Sequence, residues 1–319
     1  MKYCSSPHVL KRLLGICALS VVLQSPLPAT LLVYEGFDGY TAGTFVGQTT
    51  INTIGLTGSY VSANTTATDS NNVKFQTTGL SFGGMQTNGG SIFSTTIAGG
   101  ATRVGTVGVS LGGLAGPVTG SLYTSYLINF GTASRNDSSN VVLAVNTAPS
   151  ATSGRYFAST SDGTTNNGSL NTAYDTTGGS PTSLSQSGTF LVIDEFTNVG
   201  NDTAVTTGTS TEWIVSETQY NLLMADGMIT TAELNTAGAV TSKVTDTSTT
   251  GTWNFGPSNA LQLYLSTSVA GTAYTMDEVR IGTTLADVAI AVPESNALTL
   301  LMSAGILCLG LHRQKRRSR

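Results

Sequence analysis

Between residues 31 and 288 the chain alternates short apolar runs with clusters of Gly, Asn, Ser and Thr. In the stretch SLYTSYLINF, Leu122, Tyr126, Ile128 and Phe130 fall on one face of an extended segment. TFLVIDEF puts Phe190, Val192 and Phe196 on one face and Leu191 and Ile193 on the other, and ALQLYLS repeats the alternation through Leu261, Leu263 and Leu265. A period of two, enrichment in β-branched and aromatic residues, and turn residues between the runs predict antiparallel strands. With roughly a dozen such runs, a two-sheet sandwich is the arrangement that buries their apolar faces.

One stretch breaks the alternation. In SETQYNLLMADG, Ser216 and Gln219 have capping-box spacing, Tyr220, Leu223 and Met224 share a helical face, and Gly227 suits a C-terminal cap. Thr230 and Glu233 make a second box that opens one further turn. The expectation is a short helical excursion within a single domain, residues 30–288, because no period or linker marks a second one. The Thr- and Asn-rich stretches 62–72 and 160–185 predict long loops.

The two ends follow a different pattern. Lys2, Lys11 and Arg12 precede the apolar run Leu13 to Leu23, the layout of a secretory signal peptide. Cleavage is expected after Ala29, where Pro26 and Pro28 end the helix, so residues 1–29 form the leader. At the other end Val292, Pro293 and Glu294 come before an apolar run from Ala297 to Leu311, and five of the fourteen basic residues of the chain occupy its last seven positions. As a helix, 297–311 is ~22 Å long against a hydrocarbon core of ~30 Å, so it spans with local thinning or snorkelling. The basic cluster is expected to stay cytoplasmic, leaving residues 30–292 outside the inner membrane.

The Pro-Glu motif, the single short span and the Arg316-Arg317 end resemble the PEP-CTERM sorting signal of Gram-negative bacteria. This resemblance covers residues 289–319 and implies two processing partners, signal peptidase and an exosortase. It further implies anchoring in the inner membrane facing the periplasm, then delivery to the outer surface or extracellular matrix. Ser295 stands where the commonest form of the motif has a second proline. An ordinary C-terminal membrane anchor is the plainer alternative.

Charge and composition then narrow the chemistry. Between the terminal segments six basic residues face seventeen acidic ones, which argues against a nucleic-acid partner, since phosphate neutralisation needs Lys and Arg. All three cysteines (Cys4, Cys17, Cys308) and both histidines (His8, His312) lie in the terminal segments. The domain between them therefore has no Ser-His-Asp triad, thiol nucleophile, disulfide or histidine-zinc site available to it. Carboxylate chemistry and hard oxygen-ligated cations remain.

LLVYEGFDGYTAG at the start of the domain and YTMDEVRIGTTLADV at its end resemble the first and last strands of concanavalin A-like, laminin G-like jelly rolls. In that family the terminal strands pair, which implies that Glu35 and Asp38 approach Asp277. The resemblance makes Glu35 and Asp277 candidates for a structural Ca²⁺. The alternative is that Asp277, Glu278 and Arg280 pair with one another across an edge strand.

Laminarinase-type glycoside hydrolases share this fold and require two carboxylates ~5 Å apart when retaining. In VIDEFTNVGND, Asp194, Glu195 and Asp202 have the wrong spacing, and adjacent Asp194 and Glu195 point to opposite faces of a strand. Glu212 and Glu217 flank Trp213 but also fall on opposite faces of a regular strand. If hydrolysis occurs, Glu195 and Glu212 are the residues whose mutation should abolish it. The expectation is instead a non-enzymatic binding or structural module associated with extracellular polysaccharide or envelope matrix, the further alternative being an adhesive protein without a small ligand. Trp213, Trp253, Tyr123 and Tyr264 are the aromatics available to stack on a sugar.

Overall fold

The computed structural model describes residues 31–63, 73–85, 87, 89–94, 103–129, 140–146, 148–150, 155–162, 168–171, 183–184, 188–200, 208–248, 255–267 and 274–289. The leader, the span 297–311, the sorting residues Val292, Pro293, Glu294, Arg316 and Arg317, and also Phe130, Asp202 and Trp253, lie outside the described residues. Among the described residues no helix is long and apolar enough to cross a membrane.

Sixteen strands are present among the described residues: β1 Leu31–Glu35, β2 Gly43–Thr44, β3 Thr57–Ser62, β4 Val73–Gln76, β5 Ser91–Ser94, β6 Arg103–Ser110, β7 Gly120–Asn129, β8 Asn140–Asn146, β9 Arg155–Asp162, β10 Gly168–Asn171, β11 Ser183–Leu184, β12 Thr189–Val199, β13 Gly208–Ser216, β14 Ser242–Ser248, β15 Ala260–Thr267 and β16 Thr275–Gly282. They form a nine-stranded sheet in the order β14-β13-β12-β7-β16-β5-β4-β2, with β1 also paired to β16, and a seven-stranded sheet in the order β11-β10-β9-β8-β15-β6-β3. The ladders are antiparallel, and the chain passes repeatedly from one sheet to the other, as in a jelly roll.

The alternation read from the sequence explains where the core sits. Leu122, Tyr126 and Ile128 of β7, Phe190, Val192 and Phe196 of β12, and Leu261, Leu263 and Leu265 of β15 all join one buried cluster between the sheets. The opposite face of the nine-stranded sheet carries a second cluster, in which Leu127, Leu191, Ile193, Trp213 and Val215 meet Tyr220, Leu223, Leu234 and Val288. This sheet is thus buried on both faces, which is why β12 reads as a nearly continuous apolar run.

The helical excursion provides the second cover. Helix α1, Glu217–Leu223, and helix α2, Thr231–Leu234, each begin with the expected capping box, Ser216 with Gln219 and Thr230 with Glu233. A 3₁₀ turn, Met224–Asp226, ends at Gly227 with φ of 90°, a conformation that glycine adopts without steric cost. A third short helix, α3 Leu285–Ala289, lies against the same face, where the Tyr220 hydroxyl donates to the Ala289 carbonyl at 3.4 Å.

The terminal strands pair, with Leu31 opposite Gly282 and Glu35 opposite Val279. The edge-strand alternative needs correction, however. β16 sits inside the sheet, between β7 and the strands β5 and β1, so its charged residues are enclosed.

Candidate functional site

Four groups of polar side chains result from this packing, three buried and one at the surface. At the β1–β16 junction, the ladder to β7 shifts between Asp277 and Arg280, and Glu278 takes a left-handed backbone conformation with φ of 54°. That is a sparsely populated region for a residue with a side chain, and neighbouring contacts must hold it there. Arg280 Nη2 donates to Glu278 Oε2 at 2.7 Å, with both side chains fully buried. The Tyr34 hydroxyl donates to the same oxygen at 3.1 Å, and the guanidinium lies 5.7 Å from the centre of the Tyr34 ring.

Asp277 is buried beside this pair but held by other donors. Its Oδ2 accepts from the Leu80 N–H at 2.7 Å and its Oδ1 from the Glu278 N–H at 2.8 Å. Gly79 permits the close approach, since a Cβ there would lie 2.9 Å from Asp277 Oδ2. Burial, and then the charge of Glu278, push the Asp277 carboxyl well above the usual carboxylate range.

Glu35 lies on the inner side of β1. Its Oε1 accepts from the Phe37 N–H at 2.6 Å, and its Oε2 accepts from the hydroxyls of Tyr40, at 2.8 Å, and Tyr60. Around it pack Phe37, Tyr40, Phe45, Tyr60 and Phe75, with Tyr40 edge-on to three of these rings. Burial raises the Glu35 carboxyl to about 7 despite three hydrogen bonds that favour its charged form. Of the candidate calcium ligands, Glu35 is therefore engaged by N–H and O–H donors and Asp277 by two backbone N–H donors. Asp38, the third acid of that reading, accepts from Asn52 at the surface.

The third buried group joins β12 to β13. Asp194 and Glu212 are direct partners in the ladder, on the face that carries Val192, Phe196 and Ile214, and both are almost fully enclosed. The Thr124 hydroxyl of β7 donates to Asp194 Oδ2 at 2.7 Å. Burial pushes the Asp194 carboxyl up to about 8. Glu195, its sequence neighbour, points to the opposite face as expected and accepts from the Tyr123 hydroxyl at 2.6 Å. Sequence spacing could not reveal the Asp194–Glu212 pairing, because eighteen positions separate the two residues and only the strand register brings them together.

The accessible group lies on the helical side. A pocket of about 200 Å³ is lined by Gln219, Leu222, Leu223, Glu233, Thr236, Gly238 and Ala239. Its polar members are already engaged by the fold. Gln219 Oε1 accepts from the Ser216 N–H at 3.0 Å and the Thr241 hydroxyl at 2.7 Å, and Glu233 Oε2 accepts from the Thr230 N–H at 2.8 Å. Leu222, 72% exposed, forms the open lip. Tyr123, partly buried against the second apolar cluster, has its hydroxyl pushed up to about 12, chiefly by burial and by Glu195.

Of the aromatics considered for sugar stacking, Trp213 is enclosed in the second cluster, 1% exposed, and donates Nε1 to Asn235 Oδ1 at 3.2 Å. Its ring presents no face to solvent. Tyr123 and Tyr264 are partly exposed.

No protein-family model matches the chain, and no curated protein does. Among solved structures the chain is similar to a protein of unknown function from Shewanella oneidensis, with 17% identity, 92% of this chain and 99% of that one covered, and a TM-score of 0.37. It is also similar to lectin II from Ulex europaeus, at 9% identity over 67% of this chain and 93% of that one, with a TM-score of 0.36. An engineered GH43 glycoside hydrolase with endo-xylanase and exo-arabinofuranosidase activity gives 12% identity, 82% and 43% coverage and a TM-score of 0.40. At TM-scores below 0.5 these likenesses decide neither family nor function. The sandwich itself is established by the chain's own ladders.

Proposed function

We propose that this chain is an exported, non-enzymatic module that associates with extracellular polysaccharide or envelope matrix. The observation that carries the reading is the way its acids are used. Glu35, Asp194, Glu212, Asp277 and Glu278 are enclosed in the sandwich, and the pocket acid Glu233 is committed to a helix cap. An accessible carboxylate pair across a cleft, the requirement for glycoside hydrolysis, is not formed among these residues. The pocket beside α1, with its apolar lip, suits contact with the ring face of a sugar rather than bond cleavage.

In this reading the leader 1–29 is removed by signal peptidase. Residues 289–319 serve as a sorting signal, anchored through 297–311 in the inner membrane of a Gram-negative bacterium and processed by an exosortase before release to the outer surface. The test is co-sedimentation of the domain with a panel of insoluble polysaccharides, alongside an assay for newly released reducing ends. Saturable binding without release is the expected result. Reducing-end release that is lost with Glu195→Gln or Glu212→Gln establishes the hydrolase instead, and absence of saturable binding leaves the adhesive alternative. Mass spectrometry of the C-terminus, with and without the exosortase, tests the sorting step separately.

A further inference from the structure

The Asp194–Glu212 pair has no part in the sugar-contacting surface, yet it is a costly arrangement. Two carboxylates stand side by side in a core lined by Val192, Phe196, Ile214 and Leu122. Apolar surroundings penalise ionised groups heavily, and two acids at ladder positions repel when both are charged.

Strand register sets three hydroxyl-bearing residues, Thr124, Tyr126 and Ser210, on the face of the pair. Thr124 lies opposite Asp194 on β7 and bonds to its Oδ2. Ser210 lies two positions from Glu212 on β13, hence on the same face, and is 1% exposed. Tyr126, fully buried, lies two positions from Thr124, and its hydroxyl is close enough to both acids for their charges to add to the effect of burial on it. Among the described residues, Asp194 Oδ1, Ser210 Oγ and the Tyr126 hydroxyl have no hydrogen-bond partner. Buried polar atoms are satisfied in the great majority of cases, so three orphaned oxygens beside two carboxylates indicate a group that is held in common.

We propose that Asp194 and Glu212, with the hydroxyls of Ser210, Tyr126 and Thr124, hold a hard divalent cation of the Ca²⁺ type inside the sandwich. Both carboxylate charges are balanced by a doubly charged ion, and a ligand set made only of carboxylate and hydroxyl oxygen selects hard cations over zinc or copper. The site is separate from Glu35 and Asp277, whose oxygens are engaged by protein donors. Because it lies between the sheets, the ion enters as the sheets close, and its binding contributes to folding.

The test uses the full chain, unfolded and refolded in parallel in Ca²⁺, in Mg²⁺ and in EGTA, then desalted, with its metal content measured and its melting followed. One equivalent of Ca²⁺ retained per chain and a Tm raised by roughly 5–10 °C over the EGTA sample are expected, for Ca²⁺ at about a hundred times Kd. EGTA added after folding should act slowly, and EGTA present during refolding at once. The variant Asp194→Asn/Glu212→Gln should retain no metal, while Glu35→Gln/Asp277→Asn should still retain it. If the first variant fails to fold, the stoichiometry of the unaltered chain decides. A chain refolded in Ca²⁺ that holds no stoichiometric metal and melts as in EGTA overturns the proposal, the two acids then sharing a proton. Loss of the metal with Glu35→Gln/Asp277→Asn alone overturns it as well, by assigning the ion to that pair.

Discussion

Glu278 and Arg280 on β16 and Asp194 and Glu212 on β12 and β13 lie in the same nine-stranded sheet, all four enclosed, yet the first pair joins opposite charges and the second joins two acids. The difference concerns where compensation comes from. Glu278 is neutralised by a residue two positions along its own strand, with Tyr34 of the paired strand completing its hydrogen bonds. Asp194 finds its neighbours only across strands, at Thr124 and Glu212. Glu35 is a third solution, in which a backbone N–H and two tyrosine hydroxyls serve one carboxylate. A buried acid in this fold can be held by a cation, by neutral donors or beside another acid, and the three cases should respond differently when perturbed.

The largest response should come from the ion pair. Arg280→Met leaves Glu278 as a buried charge and should cost about 3–5 kcal/mol in urea unfolding, most of it recovered when Glu278→Gln is added. A loss below about 1 kcal/mol would erase the distinction between the two pairs.

Glu35 comes next, through pH. Its folded value of about 7 lies above its ordinary 4.5, so the folded state holds a proton that the unfolded state releases. The resulting stability is fully present below pH 4.5, falls as pH rises toward 7 and is flat above, a span worth at most about 3.5 kcal/mol. Denaturation measured at pH 4.5, 6 and 8 checks the slope, and Glu35→Gln should flatten it. A slope of opposite sign would mean that the tyrosine hydroxyls stabilise the charged form more than burial opposes it.

Thr124→Val removes the described donor to Asp194 Oδ2 and should cost about 1–3 kcal/mol, since a buried acceptor is left with one fewer partner. The smallest effect belongs to the outer cover of the sheet. Ser216→Ala removes one side of a capping box at the start of α1 and should cost about 1 kcal/mol, read from thermal unfolding, leaving both acid groups undisturbed.

These residues also mark where local sequence information ends. The period-two runs around β7, β12 and β15 and both capping boxes were legible because their causes lie within a few positions of one another: alternation, and Ser or Thr followed three residues later by Gln or Glu. Glu278 and Arg280 were recognisable as a pair for the same reason, although their burial was not, because the place of β16 inside the sheet depends on three distant strands. Asp194 opposite Glu212 could not be read from spacing, since register is fixed by the whole ladder. Trp213 failed as a stacking platform for a related reason. Its exposure is decided by α2 and by Asn235 folding over it, and the local pattern of β13 is the same for a covered face and an open one.

The pairing of β1 with β16 has a temporal consequence. The strand that fills the interior of the nine-stranded sheet is the last of the described strands to be made, and β1, the first of them, forms its ladder with it. Until Thr275–Gly282 arrives, β7 lacks a neighbour on one side and the sandwich cannot close around Tyr274, Met276 and Ile281. Contacts this far apart along the chain form late and slowly. For a polypeptide made N-terminus first, the topology works as a timer: the sandwich stays open until the last of its described strands is available, then closes with β1 and β16 side by side.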